Sequence, residues 1–120
     1  MKLAISASGS SPDATVDLRF GRASFFHIVD TETKQRTVVD NATAADAFQG
    51  AGIQASQTLA RLGVQTVLTG HVGPKAWSAL QAANIQVFAV EGGTTQQALE
   101  AFVAGRLRAL NQADASGHGR

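Results

Sequence analysis

The pattern of this chain predicts an α/β fold: a five-stranded mixed sheet flanked by three helices. Two neighbouring β-favouring runs, Phe25–Asp30 and Thr37–Asp40, flank the polar turn Thr31-Glu32-Thr33-Lys34, which is a hairpin signal. After residue 50, helical repeats alternate with short apolar runs of strand length, the signature of parallel strands joined by helices. Glycine-rich turns follow the first strand and both later ones.

Each element follows in order. Lys2–Ser8 alternates and is β-favouring, and Gly9-Ser10-Ser11-Pro12-Asp13 is turn chemistry. The hairpin comes next, and Asn41–Gln49 reads as a polar, alanine-rich connection. From Ala51 to Leu62 the apolar positions Ala51, Ala55, Leu59 and Leu62 share a helical face, and Gly63 ends the run. Val64–Thr69 is a strand and Gly70-His71-Val72-Gly73 a loop. Pro74 suits the first position of a helix whose Ala76, Leu80 and Ala83 form one side. Ile85–Val90 is a further buried strand leading into Glu91-Gly92-Gly93. Thr94 with Gln97 is a capping-box pattern for a helix whose apolar face is Leu99, Phe102 and Val103. Gly105 caps that helix, or Arg106–Leu110 extends it. The three helix-separated strands are expected side by side and parallel, with the hairpin extending the sheet beyond the first.

The 120 residues suit a single domain, expected over residues 1–110, with residues 111–120 a flexible tail. Hydrophobic residues at 44% and charged residues at 16% describe a globular, lightly charged chain. A net charge of +1 provides no field for bulk nucleic-acid binding. There is no cysteine, which excludes disulfides, catalytic thiols and thiolate ligation of zinc or iron–sulfur clusters. The Met1-Lys2-Leu3-Ala4-Ile5 start is too short an apolar run for a signal peptide, and no window is long enough to span a membrane, so a cytoplasmic location is expected.

Ligand chemistry concentrates in Arg19-Phe20-Gly21-Arg22-Ala23 and in the strand-end loops. Glycine beside arginine lets backbone N–H groups and a permanent fork of donors approach an anion together. In open α/β sheets, ligands favour the carboxyl ends of parallel strands, here Gly9, Gly70–Gly73 and Gly92-Gly93. Two of these turns precede helix starts, where the dipole favours anions; the bland reading is that glycine makes tight connections. Gly50-Ala51-Gly52 is a fourth turn of this kind. His71 suits an anion donor, a metal ligand or an acid/base, against the plain reading of a solvated loop histidine. Lys75 adds charge at the same mouth, or is an ordinary first-turn lysine. His27 reads as a structural sheet residue, His118 falls in the tail, and Trp77 reads as the edge of the core. Asp13, Asp17, Asp30 and Asp40 raise a metal-dependent nuclease reading, but strand one carries no acid, and Asp30 and Asp40 look like turn residues.

Taken in order, Met1–Ile5, Phe20-Gly21-Arg22-Ala23 with Phe26 and Val29-Asp30, Asn41, Gly50-Ala51-Gly52, Gly63-Val64, Gly70 with Gly73-Pro74-Ala76, Leu80, and Ile85 with Val87 resemble the dinitrogenase iron–molybdenum cofactor biosynthesis family over about Met1 to Leu107. The resemblance implies a ribonuclease-H-like fold without nuclease activity, and metal–sulfur clusters of molybdenum or iron, or their precursors, as ligands. It further implies, for a free-standing cysteine-free member, a molybdenum–copper sulfide cluster held without covalent attachment, and a genomic setting beside ParA/MinD-type ATPases. Such a cluster brings its own sulfides and needs N–H donors, some positive charge and apolar walls. By loop position, Gly9, Gly21, Arg22, Gly70, His71, Gly73 and Gly92 are the expected donors. Phe20, Val72 and Val90 are the expected walls, and Arg19 and Lys75 supply longer-range charge. The expected function is a non-enzymatic carrier of an anionic metal–sulfur cluster. The alternative is an adaptor docking a ParA/MinD-type ATPase in a cell-division complex through Trp77 and Arg106–Leu110.

Overall fold

The structure is a computed structural model that describes residues 1–47 and 50–113. Part of the expected tail, with His118, lies outside the described residues. The strands are β1 (Lys2–Ala7), β2 (Phe25–Asp30), β3 (Arg36–Asp40), β4 (Val64–Thr69), β5 (Gln86–Ala89) and β6 (Arg108–Ala109). The helices are α1 (Ala42–Ala45), α2 (Ala51–Arg61), α3 (Pro74–Ala82) and α4 (Thr95–Val103). They form one mixed sheet of order β3-β2-β1-β4-β5-β6. β1, β4 and β5 run parallel, while β1/β2, β2/β3 and β5/β6 are antiparallel. The hairpin therefore lies beyond β1, as its short polar turn requires.

The sheet has six strands and four helices where five and three were expected. The additions have separate causes. α1 is a single turn inside the 41–49 connection, started where the Asp40 carboxylate accepts the Ala42 amide at 2.7 Å. At the other end Gly105, with φ 74°, reverses the chain after α4 instead of letting the helix run on. The returning segment then pairs with β5, Ala109 opposite Phe88. Neither a one-turn helix nor a two-residue strand leaves a hydrophobic period to read.

Helices cover both faces of the sheet. On one, Ala55 and Leu59 of α2 and Ala76 and Leu80 of α3 pack with Phe20, Phe26, Ile28, Val67 and Val87. Trp77 rests half-buried against the edge of this core. On the other face Ala98 of α4 joins Leu3, Ile5, Val29 and Leu68, with Phe88 and Phe102 stacked edge to face at 5.1 Å. Period-two burial along β1 sends Leu3 and Ile5 to one layer and Ala4 to the other.

A polar latch ties the hairpin to α4. His27 is fully buried, and its Nε2 donates to the Gly9 carbonyl at 2.9 Å. Its Nδ1 accepts from Arg36 Nη1 at 3.0 Å. Arg36 also donates to Thr95 Oγ1 at 3.1 Å and to Gln96 Oε1 at 2.8 Å, and the Thr95 hydroxyl donates to the Pro12 carbonyl. Burial holds the His27 pKa below its ordinary 6.5; the Gly9 bond opposes this and the Arg36 charge adds to it. On acidification the unfolded chain binds this proton before the folded one does. Stability from His27 is therefore complete above pH 6.5 and is lost as pH falls through the lower folded value. Thermal unfolding followed by circular dichroism is expected to show a plateau above that pH and a falling midpoint below it. His27→Gln should lower the plateau and flatten the acid slope; an unchanged slope would remove His27 as its source.

Candidate functional site

Two helices begin at the same place. α2 starts after Gly50 and α3 after Gly73, and neither has a side-chain cap. The amides of Ala51, Gly52 and Ile53, and those of Lys75 and Ala76, have no protein acceptor among the described residues. Pro74 opens α3, where its missing N–H costs nothing. By contrast α4 starts with a complete capping box: the Thr94 hydroxyl accepts from the Gln97 amide, and the Gln97 side chain accepts from the Thr94 amide. The fold satisfies the start of α4 internally and leaves those of α2 and α3 open.

Both open ends face a cavity of about 560 Å³. Gly50, Ala51, Gly52 and Ile53 line one side and Gly73, Pro74, Lys75 and Ala76 another. Arg19, Phe20, Gly21, Arg22 and His71 complete it. Among the described residues no acid lines it, so two helix N-termini, two arginines and a lysine act in one electrostatic direction.

Glycine sets the closeness of these walls. A Cβ on Gly21 would stand 2.6 Å from the Gly52 backbone nitrogen and 2.7 Å from its Cα. A Cβ on Gly52 would stand 2.6 Å from the Ala76 Cβ. The loop, the first turn of α2 and the first turn of α3 thus stack with no room for another carbon. Asn41, buried just after the hairpin, holds the loop from behind, donating to the Ala23 carbonyl at 2.8 Å and to that of Gly21 at 3.4 Å. Ser24 accepts the Asn41 amide at its carbonyl, closing that brace.

The side chains divide into braced and open groups. Arg22 Nη1 donates to the carbonyls of Ala45 and Ala47, both at 2.8 Å, at the end of α1. It contributes charge to the cavity while fastening the connection that leads to α2. Arg19 pairs with Asp17 at 3.4 Å in an exposed contact worth little. Lys75 is exposed and has no ion-pair partner among the described residues. His71 is exposed at the mouth, and its backbone sews two segments together: its amide donates to the Leu18 carbonyl at 2.7 Å and its carbonyl accepts from Phe20 at 3.2 Å.

Of the residues expected at a site from the sequence, Phe20, Gly21, Arg22, His71, Gly73 and Lys75 share this cavity. Gly70 is buried behind it, where a Cβ would meet the Leu18 carbonyl oxygen at 2.7 Å, so it serves the approach of two chain segments. Val72 is fully buried in the core. Gly9 is spent on His27, while Gly92, with Val90, lies in a separate cavity beside α4. The Gly50-Ala51-Gly52 turn, a fourth candidate from the sequence, lines the cavity too, while Ile53, Pro74, Ala76 and the brace Asn41 were absent from the expected site. Only the proximity of Gly50–Gly52 to Gly73–Ala76 turns weak glycine signals into a site. Among the described residues no three His, Asp or Glu side chains gather to hold a metal ion. Asp30 and Asp40 serve turns, Asp30 accepting from Glu32 and Thr33, which lowers its pKa. No described helix is long and apolar enough to cross a membrane.

The chain is similar to known proteins in sequence and fold. The sequence profile of the Dinitrogenase iron-molybdenum cofactor family matches residues 1–105, and the chain belongs to that family. Among solved structures it is similar to the apo form of the orange protein from Desulfovibrio gigas, with 43% identity, TM-score 0.91, and coverage of 94% of this chain and 95% of that one. A Thermotoga protein described as NifB, of the DUF35 family, is 39% identical with TM-score 0.86, covering 97% of this chain and 98% of its own. An uncharacterized Methanocaldococcus jannaschii protein is 29% identical over 91 residues, 73% of this chain and 76% of that protein.

The stack makes a stability prediction. Gly52→Ala is expected to destabilise the fold by about 1–3 kcal/mol through overpacking on Ala76. Adding Ala76→Gly, which moves the methyl from one helix to the other, should recover part of the loss in urea unfolding. If the two substitutions are simply additive, the contact is not the cause.

Proposed function

We propose that this protein is a non-enzymatic carrier of an anionic metal–sulfur cluster containing molybdenum, of the molybdenum–copper or iron–molybdenum type. The cluster is held without cysteine in the cavity between the starts of α2 and α3. One observation carries the reading: two uncapped helix N-termini and three cationic side chains converge, without an acid, on one cavity. Family membership and the likeness to the orange protein support it. The order β3-β2-β1-β4-β5, with its antiparallel hairpin beside three parallel strands, also supports a ribonuclease-H-like fold. A cytoplasmic setting suits a chain with no thiol to oxidise.

The chemistry follows from the lining. A thiometallate carries its sulfide ligands with it, so the protein need only recognise a large, weakly hydrated anion. First-turn amides donate to peripheral sulfides, and the helix dipoles and guanidinium groups offset the charge. Phe20, Ile53, Pro74 and Ala76 provide apolar wall and limit water at the bound face. Gly21 and Gly52 let the anion approach the backbone. His71 is the one imidazole in the lining and the natural nitrogen ligand for a copper or iron atom at the mouth. Gly70 and Val72 act from behind, by fixing the loop.

Titration with tetrathiomolybdate and copper(I), followed in the visible spectrum, is expected to give a protein-bound chromophore that survives gel filtration; failure to form one overturns the reading. Lys75→Gln should weaken retention several-fold without changing the unfolding midpoint, since Lys75 has no ion-pair partner among the described residues to lose. Arg22→Ala should lower both retention and stability, because two charge-assisted bonds to Ala45 and Ala47, each worth about 1.5–3 kcal/mol, are removed. Retention unchanged in both variants would remove the cations from the site.

A further inference from the structure

The molecule has a second large cavity, of about 620 Å³, on the opposite side of the parallel strands from α2. The chain encircles it. Val90–Gly93 leaves the end of β5, α4 follows, Gly105 reverses the direction, and residues 106–108 return beside β5. The reversal is held by the Arg106 amide on the Ala101 carbonyl at 2.9 Å, and the return by the Leu110 amide on the Val87 carbonyl at 2.8 Å. On α4 the positions facing this space are Gln97, Ala98 and Ala101, one helical face with two alanines on it. Small side chains there leave a volume in the range of a small-molecule pocket rather than a filled core.

Its chemistry is not that of the first cavity. Val90, Ala98, Ala101 and Leu107 form an apolar part of the lining. Arg106 and Arg108, on either side of the bend at Leu107, both line it, and neither has an ion-pair partner among the described residues. The amides of Glu91, Gly92 and Gly93 likewise have no protein acceptor, and a Cβ on Gly92 would meet no atom within 4 Å. Gln97 commits its Oε1 to the cap of α4, and its side-chain NH₂ has no acceptor among the described residues. Glu91 is the one acid in the lining, so the side-chain charges sum to a single positive charge (two arginines less one glutamate).

We propose that this cavity is a binding site for a small organic acid: one carboxylate on a compact apolar body. The guanidinium groups and free amides receive the carboxylate, and the alanine face of α4 and Leu107 receive the body. The charge sum selects a monoanion. The paired arginines match a planar carboxylate better than a spherical ion. This site is independent of the cluster cavity and does not rest on it.

Sodium benzoate serves as the probe, with benzamide as the uncharged control of the same shape. In ¹H–¹⁵N correlation spectra, benzoate is expected to shift the amides of Gly92, Gly93 and Arg106–Arg108 in a saturable way and to leave those of Gly21, Gly52 and Gly73 in place. Benzamide should bind at least about tenfold more weakly. The double variant Arg106→Gln/Arg108→Gln, at exposed positions that leave the core intact, should lose affinity by at least about tenfold while its spectrum stays folded. Absence of saturable shifts, shifts centred on the first cavity, equal binding of benzamide, or unchanged affinity in the double variant would each overturn the proposal.

Discussion

The structure depends on a space too small for a carbon atom. Gly21 lies on the backbone of Gly52, and Gly52 on the Cβ of Ala76, so a loop and two helix starts meet at van der Waals distance. That contact sets how closely the starts of α2 and α3 and the Gly21 loop approach one another. It also brings the open first-turn amides of both helices, and the positive ends of their dipoles, to bear on the same cavity. Any side chain larger than hydrogen at either glycine would separate the walls and dilute the field. Asn41, Arg22 and the backbone of His71 reinforce the contact from three directions, each through hydrogen bonds to the loop or to its neighbours.

The opposite layer solves a different problem. There α4 packs with Val16 and Leu18 over the sheet, its capping box takes the Thr94 and Gln97 amides, and the Ala14 carbonyl takes that of Thr95. The latch from Gly9 through His27 and Arg36 to Thr95 and Gln96 joins the first loop, the hairpin and α4 into one body. Because both ring nitrogens of His27 are matched, a buried imidazole becomes a fastening rather than a liability. The two layers therefore divide the labour. In one the start of the helix is capped by its own side chains, and in the other two helix starts are left uncapped.

Much of this was legible beforehand, and the limits have physical causes. The hairpin, the parallel strands and α2, α3 and α4 announced themselves through periodicity and turn chemistry, because each buries a regular stripe. α1 and β6 did not, since four residues and two residues carry no period. Arg22 was readable as a donor near an anion, but its grip on the carbonyls of Ala45 and Ala47 was not, because those partners are more than twenty positions away and identical in every residue type. Gly9 and Gly92 looked like Gly73: all three follow strands, yet one is taken by His27 and another opens on a different cavity. Strand-end position is a one-dimensional fact, whereas membership of a site is a distance.

The sequence by itself determined the class of fold, the family, and the demand that any metal–sulfur ligand arrive with its own sulfur, since the chain has no thiol to offer. Those follow from local patterns and from composition, which need no partner in space. The tertiary structure decided which glycines line the cavity, which arginine is braced, and that two helix starts open on the same space. Such properties arise only when segments far apart in the chain, residues 19–22, 50–53 and 71–76, are pressed against one another. Electrostatic and steric complementarity is a function of separation, and separation is what folding supplies.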